Sequence, residues 1–115
     1  MEILYLGSGK YGNRGVSTYV LNQIAIDGIE QMLEGEFQGK FALEKTRRGY
    51  KVSSHVDKRN KPSIEIEITV AAGEDATQIS AAIQKNVYES LVGFLEVTPS
   101  KVNVRVSRIQ KAKKE

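Results

Sequence analysis

From Tyr50 the chain alternates. Tyr50, Val52, Ser54 and Val56 fall on one side of an extended backbone, and Lys51, Ser53, His55 and Asp57 on the other. After the polar turn from Lys58 to Pro62 the alternation returns more strongly, with Ile64, Ile66, Ile68 and Val70 set against Glu65, Glu67 and Thr69. A period of two marks a strand with one buried and one wet face, and two such runs across a short turn predict an antiparallel hairpin. Val102, Val104 and Val106, alternating with Asn103, Arg105 and Ser107, predict a further strand.

Two segments follow the other period. Val20, Leu21, Ile24, Ala25, Gly28, Ile29, Met32 and Leu33 recur at spacings of three and four. This predicts an amphipathic helix that starts at Ser17 or Thr18, either of which can cap free N–H groups, and ends near Leu33. Gly28 lies within the apolar stripe and costs the helix up to about 1 kcal/mol relative to alanine, so close passage of another segment is expected there. Asp75, with Gln78 three residues on, has the form of a second N-cap. Ile79, Ile83, Val87 and Leu91 follow at intervals of four, and Gly93 is placed to end that helix in a left-handed conformation. Phe94, Leu95 and Val97 are expected to fold back onto the core, and Pro99 breaks any continuation.

The amino-terminal residues are less regular. Ile3 to Leu6 form an apolar run that suits an edge strand or an ordered arm, and the four glycines within Gly7–Gly15 predict a loop. Gly35 and Gly39 mark a second loop. The expected architecture is an α+β two-layer sandwich in the order (β)-α-β-β-α-β, with two helices on one face of a small mixed sheet that contains an antiparallel hairpin. Residues 1–14 read as an arm and glycine-rich loop, 15–109 as one domain, and 110–115 as a basic tail.

Composition narrows the chemistry. A chain of 115 residues, with 40% hydrophobic and 27% charged residues, supports one packed core. It contains no cysteine, which removes disulfides, thiolate metal sites and cysteine nucleophiles, and suits the cytoplasm. No apolar run approaches the roughly 20 residues that span a bilayer, so any membrane association is expected to be peripheral.

His55 is the only histidine and, by alternation, shares a sheet face with Glu65 and Glu67. A general base beside a carboxylate has this appearance, but so does a polar residue opposite acids on a wet sheet face, and no pocket-forming pattern surrounds it. Gly7, Gly9 and Gly12 have the spacing of a phosphate-binding turn, with Lys10 and Arg14 nearby. The Walker spacing and a second βαβ unit are both absent. No enzyme, cofactor or metal site is therefore expected.

Net charge is only +3, but the basic residues cluster. Lys45, Arg47 and Arg48 precede the hairpin, Lys58, Arg59 and Lys61 occupy its tip, and Lys101, Arg105, Arg108, Lys111, Lys113 and Lys114 follow near the end. The candidate interaction surface comprises Lys51, His55, Lys58, Arg59, Lys61, Arg105 and Arg108. The wet sheet face carries both signs, which suits mutual pairing or burial against a second copy. The helix-strand-strand-helix-strand order is also that of KH-like RNA-binding folds, although no Gly-x-x-Gly joins two helices and no aromatic residues interleave the basic ones.

The stretch from Ser63 to Val70, the helix from Ile79 to Val92, Leu95 to Val97 and the strand Val102 to Val106 together resemble the alkaline-shock and general-stress protein family of Gram-positive bacteria. The helix from Ser17 to Leu33 fits the same pattern. The resemblance covers about Gly15 to Ile109, with departures at Ala71-Ala72-Gly73, Thr98-Pro99-Ser100 and the glycine-rich segment. It implies a non-catalytic protein of the cell-envelope stress response that acts through protein partners and homo-oligomers. Such a protein is cytoplasmic, or held at the inner face of the membrane by a membrane-anchored partner. An RNA- or ribosome-binding module is the alternative.

Overall fold

The computed structural model describes residues 2–9 and 12–110, without the side chains of residues 7–14. The elements are β1 (Ile3–Gly9), β2 (Gly12–Ser17), α1 (Thr18–Glu34), β3 (Phe41–Leu43), β4 (Lys45–Thr46), β5 (Gly49–Tyr50), β6 (Val52–Val56), β7 (Pro62–Ala71), α2 (Ala76–Leu95) and β8 (Lys101–Gln110). Both predicted helices and all three predicted strands are present, so the α+β sandwich stands.

The sheet is organised around β7. β6 pairs antiparallel with its first half, Val52 opposite Ile66 and Val56 opposite Pro62. β3 pairs antiparallel with its second half, Phe41 opposite Val70 and Leu43 opposite Ile68. β8 runs parallel along most of its length. A strand has two edges, so β3 and β6 lie end to end along one and β8 occupies the other. The parallel partner follows from α2, because only a crossover of this length returns the chain in the same direction.

Ile64, Ile66, Ile68 and Val70 point to the helix side and are almost fully buried. They meet Ile79, Ile83, Val87 and Leu91 of α2 and Leu21, Ala25 and Ile29 of α1 in one core, joined by Leu4 from β1. The helix starts are as the sequence predicts: Ser17 Oγ accepts from the Val20 N–H at 3.4 Å, and Asp75 Oδ1 accepts from the Gln78 N–H at 3.0 Å. A Cβ on Gly28 would overlap Asn86 Oδ1 and come within 3.0 Å of Ser90 Oγ. The expected close passage is therefore that of α2.

Four expectations need correction. Gly7–Gly15 is largely strand, not loop: β1 and β2 form an antiparallel hairpin with Gly9 opposite Gly12, and only residues 10 and 11 lie outside the described residues. A glycine-rich hairpin is possible here because both ends are anchored by larger residues, Leu4 in the core and Val16 against it. Second, Phe41–Leu43 is a strand that loop-like flanks concealed. The chain leaves the main sheet after Glu44, makes the small β4–β5 hairpin and returns at Lys51, whose N–H donates to Glu44 and whose carbonyl accepts from Glu67. Tyr50 thus belongs to that excursion and not to the start of β6.

Third, α2 does not end at Gly93. It runs to Leu95, and Glu96 takes the left-handed conformation at φ 56°, its N–H donating to the Val92 carbonyl. Leu95 is partly buried against the core, so the helix gains by continuing through the glycine. Fourth, Phe94 is 75% exposed, while Leu95 and Val97 do reach the core. Gly93→Ala places its methyl in open space on a helix and is expected to raise stability by about 0.5–1 kcal/mol in urea denaturation. Had Gly93 been the left-handed stop, the same change would destabilise.

Two side chains tie the amino-terminal hairpin to the sheet. Asn60, at φ 62° in the turn between β6 and β7, accepts from the Tyr5 N–H at 2.8 Å and donates to the Tyr5 carbonyl at 2.6 Å. Glu2 accepts from the Val56 N–H at 2.9 Å.

Candidate protein-interaction surface

The helices cover one face of the sheet, and among the described residues no helix covers the other. Across it run Lys51 and, in β6, Ser53, then Glu65 and Glu67 of β7, and Asn103 and Arg105 of β8. Thr46 and Tyr50, from the β4–β5 excursion, raise a wall along one side. The result is a shallow cleft of about 390 Å³ with a floor of mixed charge. Lys45 Nζ sits 5.4 Å from the centre of the Tyr50 ring and stiffens that wall.

Glu67 is the organising acid of the cleft. It accepts a hydrogen bond from Ser107 Oγ at 2.7 Å. That bond, with lesser contributions from Lys51 and Arg105 working against desolvation, holds its carboxyl below the usual range. Ser107 can do this because β8 carries a bulge: Val106 lies opposite Ile68 but Arg108 lies opposite Thr69, so Ser107 is the extra residue. The bulge also brings Arg108 Nε to Glu44 Oε1 at 2.9 Å. Thr69, expected to be wet, sits between Ala42 and Arg108 in register and is 7% exposed.

Ser107→Ala should move the Glu67 pKa upward in a carboxyl NMR titration. The lowered pKa means that the contribution to stability is present above the unfolded-state pKa and is lost as pH falls through the folded-state one. The stability difference between wild type and Ser107→Ala should therefore be seen at neutral pH and vanish in acid.

The predicted surface residues do not form one site. Lys51 and Arg105 share the cleft. Arg108 is engaged by Glu44. His55 shares the sheet face of Glu65 and Glu67 as alternation suggested, but it lies opposite Ser63, and the acid its Nδ1 meets, at 2.8 Å, is Glu2 through Oε2. Lys58, Arg59 and Lys61 stand apart at the exposed turn between β6 and β7, where Asp57 Oδ1 accepts from the Arg59 and Lys61 N–H groups at 2.9 Å each. Sequence reasoning missed Glu44, Thr46 and Glu2. The alternation of Phe41, Ala42, Leu43 and Glu44 is the signal that could have placed the first.

The glycine-rich segment is not a strand-loop-helix phosphate cradle, because its backbone pairs within the β1–β2 hairpin; Lys10 and the Arg14 side chain lie outside the described residues. Among the described residues no three His, Cys, Asp or Glu side chains converge as a metal site, and no helix is long and apolar enough to cross a membrane.

A family model for the alkaline shock proteins, described by a cell envelope-related function, matches residues 8–111. No curated protein and no solved structure matches the chain. With the match extending over nearly all of the two-layer fold, from the amino-terminal hairpin to β8, the chain belongs to the alkaline shock protein family, which has a cell envelope-related function.

Proposed function

We propose that this chain is a non-enzymatic interaction protein of the cell-envelope stress response, acting through protein–protein contacts and self-association. The observation that carries the reading is the family match over residues 8–111. A sheet with one uncovered face supports it, since such a face offers several strands at once to a partner. The proposed location is the cytoplasm, at the inner face of the membrane where a membrane-anchored partner holds the chain.

Affinity capture from native cytoplasmic and membrane fractions, combined with light scattering of the purified chain, tests this. A specific envelope protein recovered in stoichiometric amount, or a concentration-dependent oligomer, is the expected result. A strict monomer that captures no protein from either fraction would overturn it.

The second reading is RNA binding through Lys58, Arg59 and Lys61, favoured by their clustering at one exposed turn. It requires affinity for RNA that falls as salt rises and that is reduced by charge reversal at that turn.

A further inference from the structure

We propose that the outer edge of β8 is a docking site for an extended, acidic segment of a partner protein, which joins the sheet as a further strand. This rests on reading the chain as an interaction protein and specifies where and what it binds.

The edge is open by hydrogen-bond direction. In β7, Glu67 donates to Lys51 and accepts from Glu44, so the odd-numbered residues there face β6 and β3 and the even-numbered ones face β8. In β8, the Val102 carbonyl accepts from Gln84 Nε2 of α2 at 3.0 Å, so it points away from β7. By the period of two, the N–H and C=O groups of Val104 and Val106 point the same way, and no strand pairs with them among the described residues. Backbone groups in such a row are a template for an added strand. The opposite edge differs, since there Glu2 already occupies the Val56 N–H.

The two sides of this edge set the chemistry of the added strand. On the helix side a groove of about 310 Å³ runs between β8 and the first turns of α2, lined by Ala76, Thr77, Ser80, Ala81, Gln84 and Val106. Ile109, in register with Val70 and so on the same side of the sheet, is 63% exposed. Small and aliphatic side chains fit there. On the open side β8 presents Lys101 and Arg105, neither in an ion pair among the described residues. Charge alternates strand by strand across that face: Lys51, then Glu65 and Glu67, then Lys101 and Arg105. The next strand completes the series if it is acidic. A second β8 would instead set another strand that carries Lys101, Arg105 and Arg108 and no acid beside this one, and like charges on neighbouring strands are unfavourable. The occupant is thus a segment that alternates acidic and small aliphatic residues.

The test uses the purified chain and fluorescent peptides of about ten residues, the length of β8, read by anisotropy. One peptide alternates Glu with Val, one alternates Lys with Val, and a third is the Glu peptide with N-methyl groups on alternate amides. The Glu peptide is expected to bind at least about tenfold more tightly than the other two, more weakly as salt rises. Val104→Pro removes a donor from the free edge without touching the β7–β8 ladder, and should abolish binding while the far-UV circular dichroism spectrum is kept. Arg105→Glu should reverse the preference between the Glu and Lys peptides. Equal binding of the methylated peptide would overturn strand addition. So would full binding by a folded Val104→Pro chain, or a wild-type dimer that Val104→Pro converts to monomer. Loss of the peptide interaction with native capture intact would sink this edge alone and leave the interaction role standing.

Discussion

Ile68→Ala is expected to lower the free energy of unfolding by about 2–5 kcal/mol. Ile68 is fully buried in the middle of β7, opposite Leu43 on one edge and Val106 on the other, with the helices above. Strands on both sides hold its backbone, so the surroundings collapse poorly into the space left behind, and poor collapse puts the cost high in that range. A domain of this size has only about 5–15 kcal/mol to lose. Ile109→Ala is the control: the residue type is the same, but at 63% exposure the change should remain within about 0.5 kcal/mol. Chemical denaturation of both variants settles the comparison, and equal losses would mean that β7 is not the centre of the core.

Gly28→Leu should cost about 2–3 kcal/mol by forcing α1 and α2 apart. Even a methyl group at this position overlaps Asn86 Oδ1, and Ser90 closes the space from the next turn. Leucine has the better helix propensity by nearly 1 kcal/mol, so a net loss isolates the steric term. Asn86 Oδ1 is also buried without a hydrogen-bond partner. Asn86→Ala removes both that orphaned acceptor and the overlap. In the double variant, part of the Gly28→Leu loss should return, and a double-mutant cycle in urea gives the coupling directly. Additive effects would show that the helices do not meet at Gly28.

Much of this fold can be read from the residues, and the reasons are local. Ile64, Ile66, Ile68 and Val70 alternate without interruption, while Ile79, Ile83, Val87 and Leu91 keep to one helical stripe; each pattern is compatible with one element only. Ser17 and Asp75 mark their helix starts by hydrogen bonds made within three residues. What escaped the sequence depends on distant partners. Phe41–Leu43 alternates over too few residues to stand as a strand by its pattern alone, and pairs because Val70, Thr69 and Ile68 pass beside it. Gly7–Gly15 has the composition of a loop, and is a hairpin because its ends are fixed by the core and by Asn60. Gly93 carries a stop signal that loses to the burial of Leu95.

The interaction surface was harder to read for the same reason. Alternation placed Lys51, Glu65, Glu67, Asn103 and Arg105 on one face correctly. It held for Ser107, which bonds Glu67 on the wet face, and failed just after the bulge, where one extra residue sent Arg108 to Glu44. It put His55 on the face of Glu65 and Glu67, as found, but nothing in the local pattern shows that its acidic partner is Glu2, which comes to the edge of β6. Charge patterning gave the neighbourhood, and register gave the pairs.

The parallel arrangement of β7 and β8 bears on how the protein is made. During synthesis β7 leaves the ribosome with β6 and β3 already available, but β8 follows only after all of α2, about thirty residues later. In that interval the most aliphatic strand of the molecule has one side unprotected, the condition under which nascent chains stick to one another. Folding cannot finish before Gln110 has emerged, and a ribosome that stalls near Pro99 would leave a product that chaperones must hold.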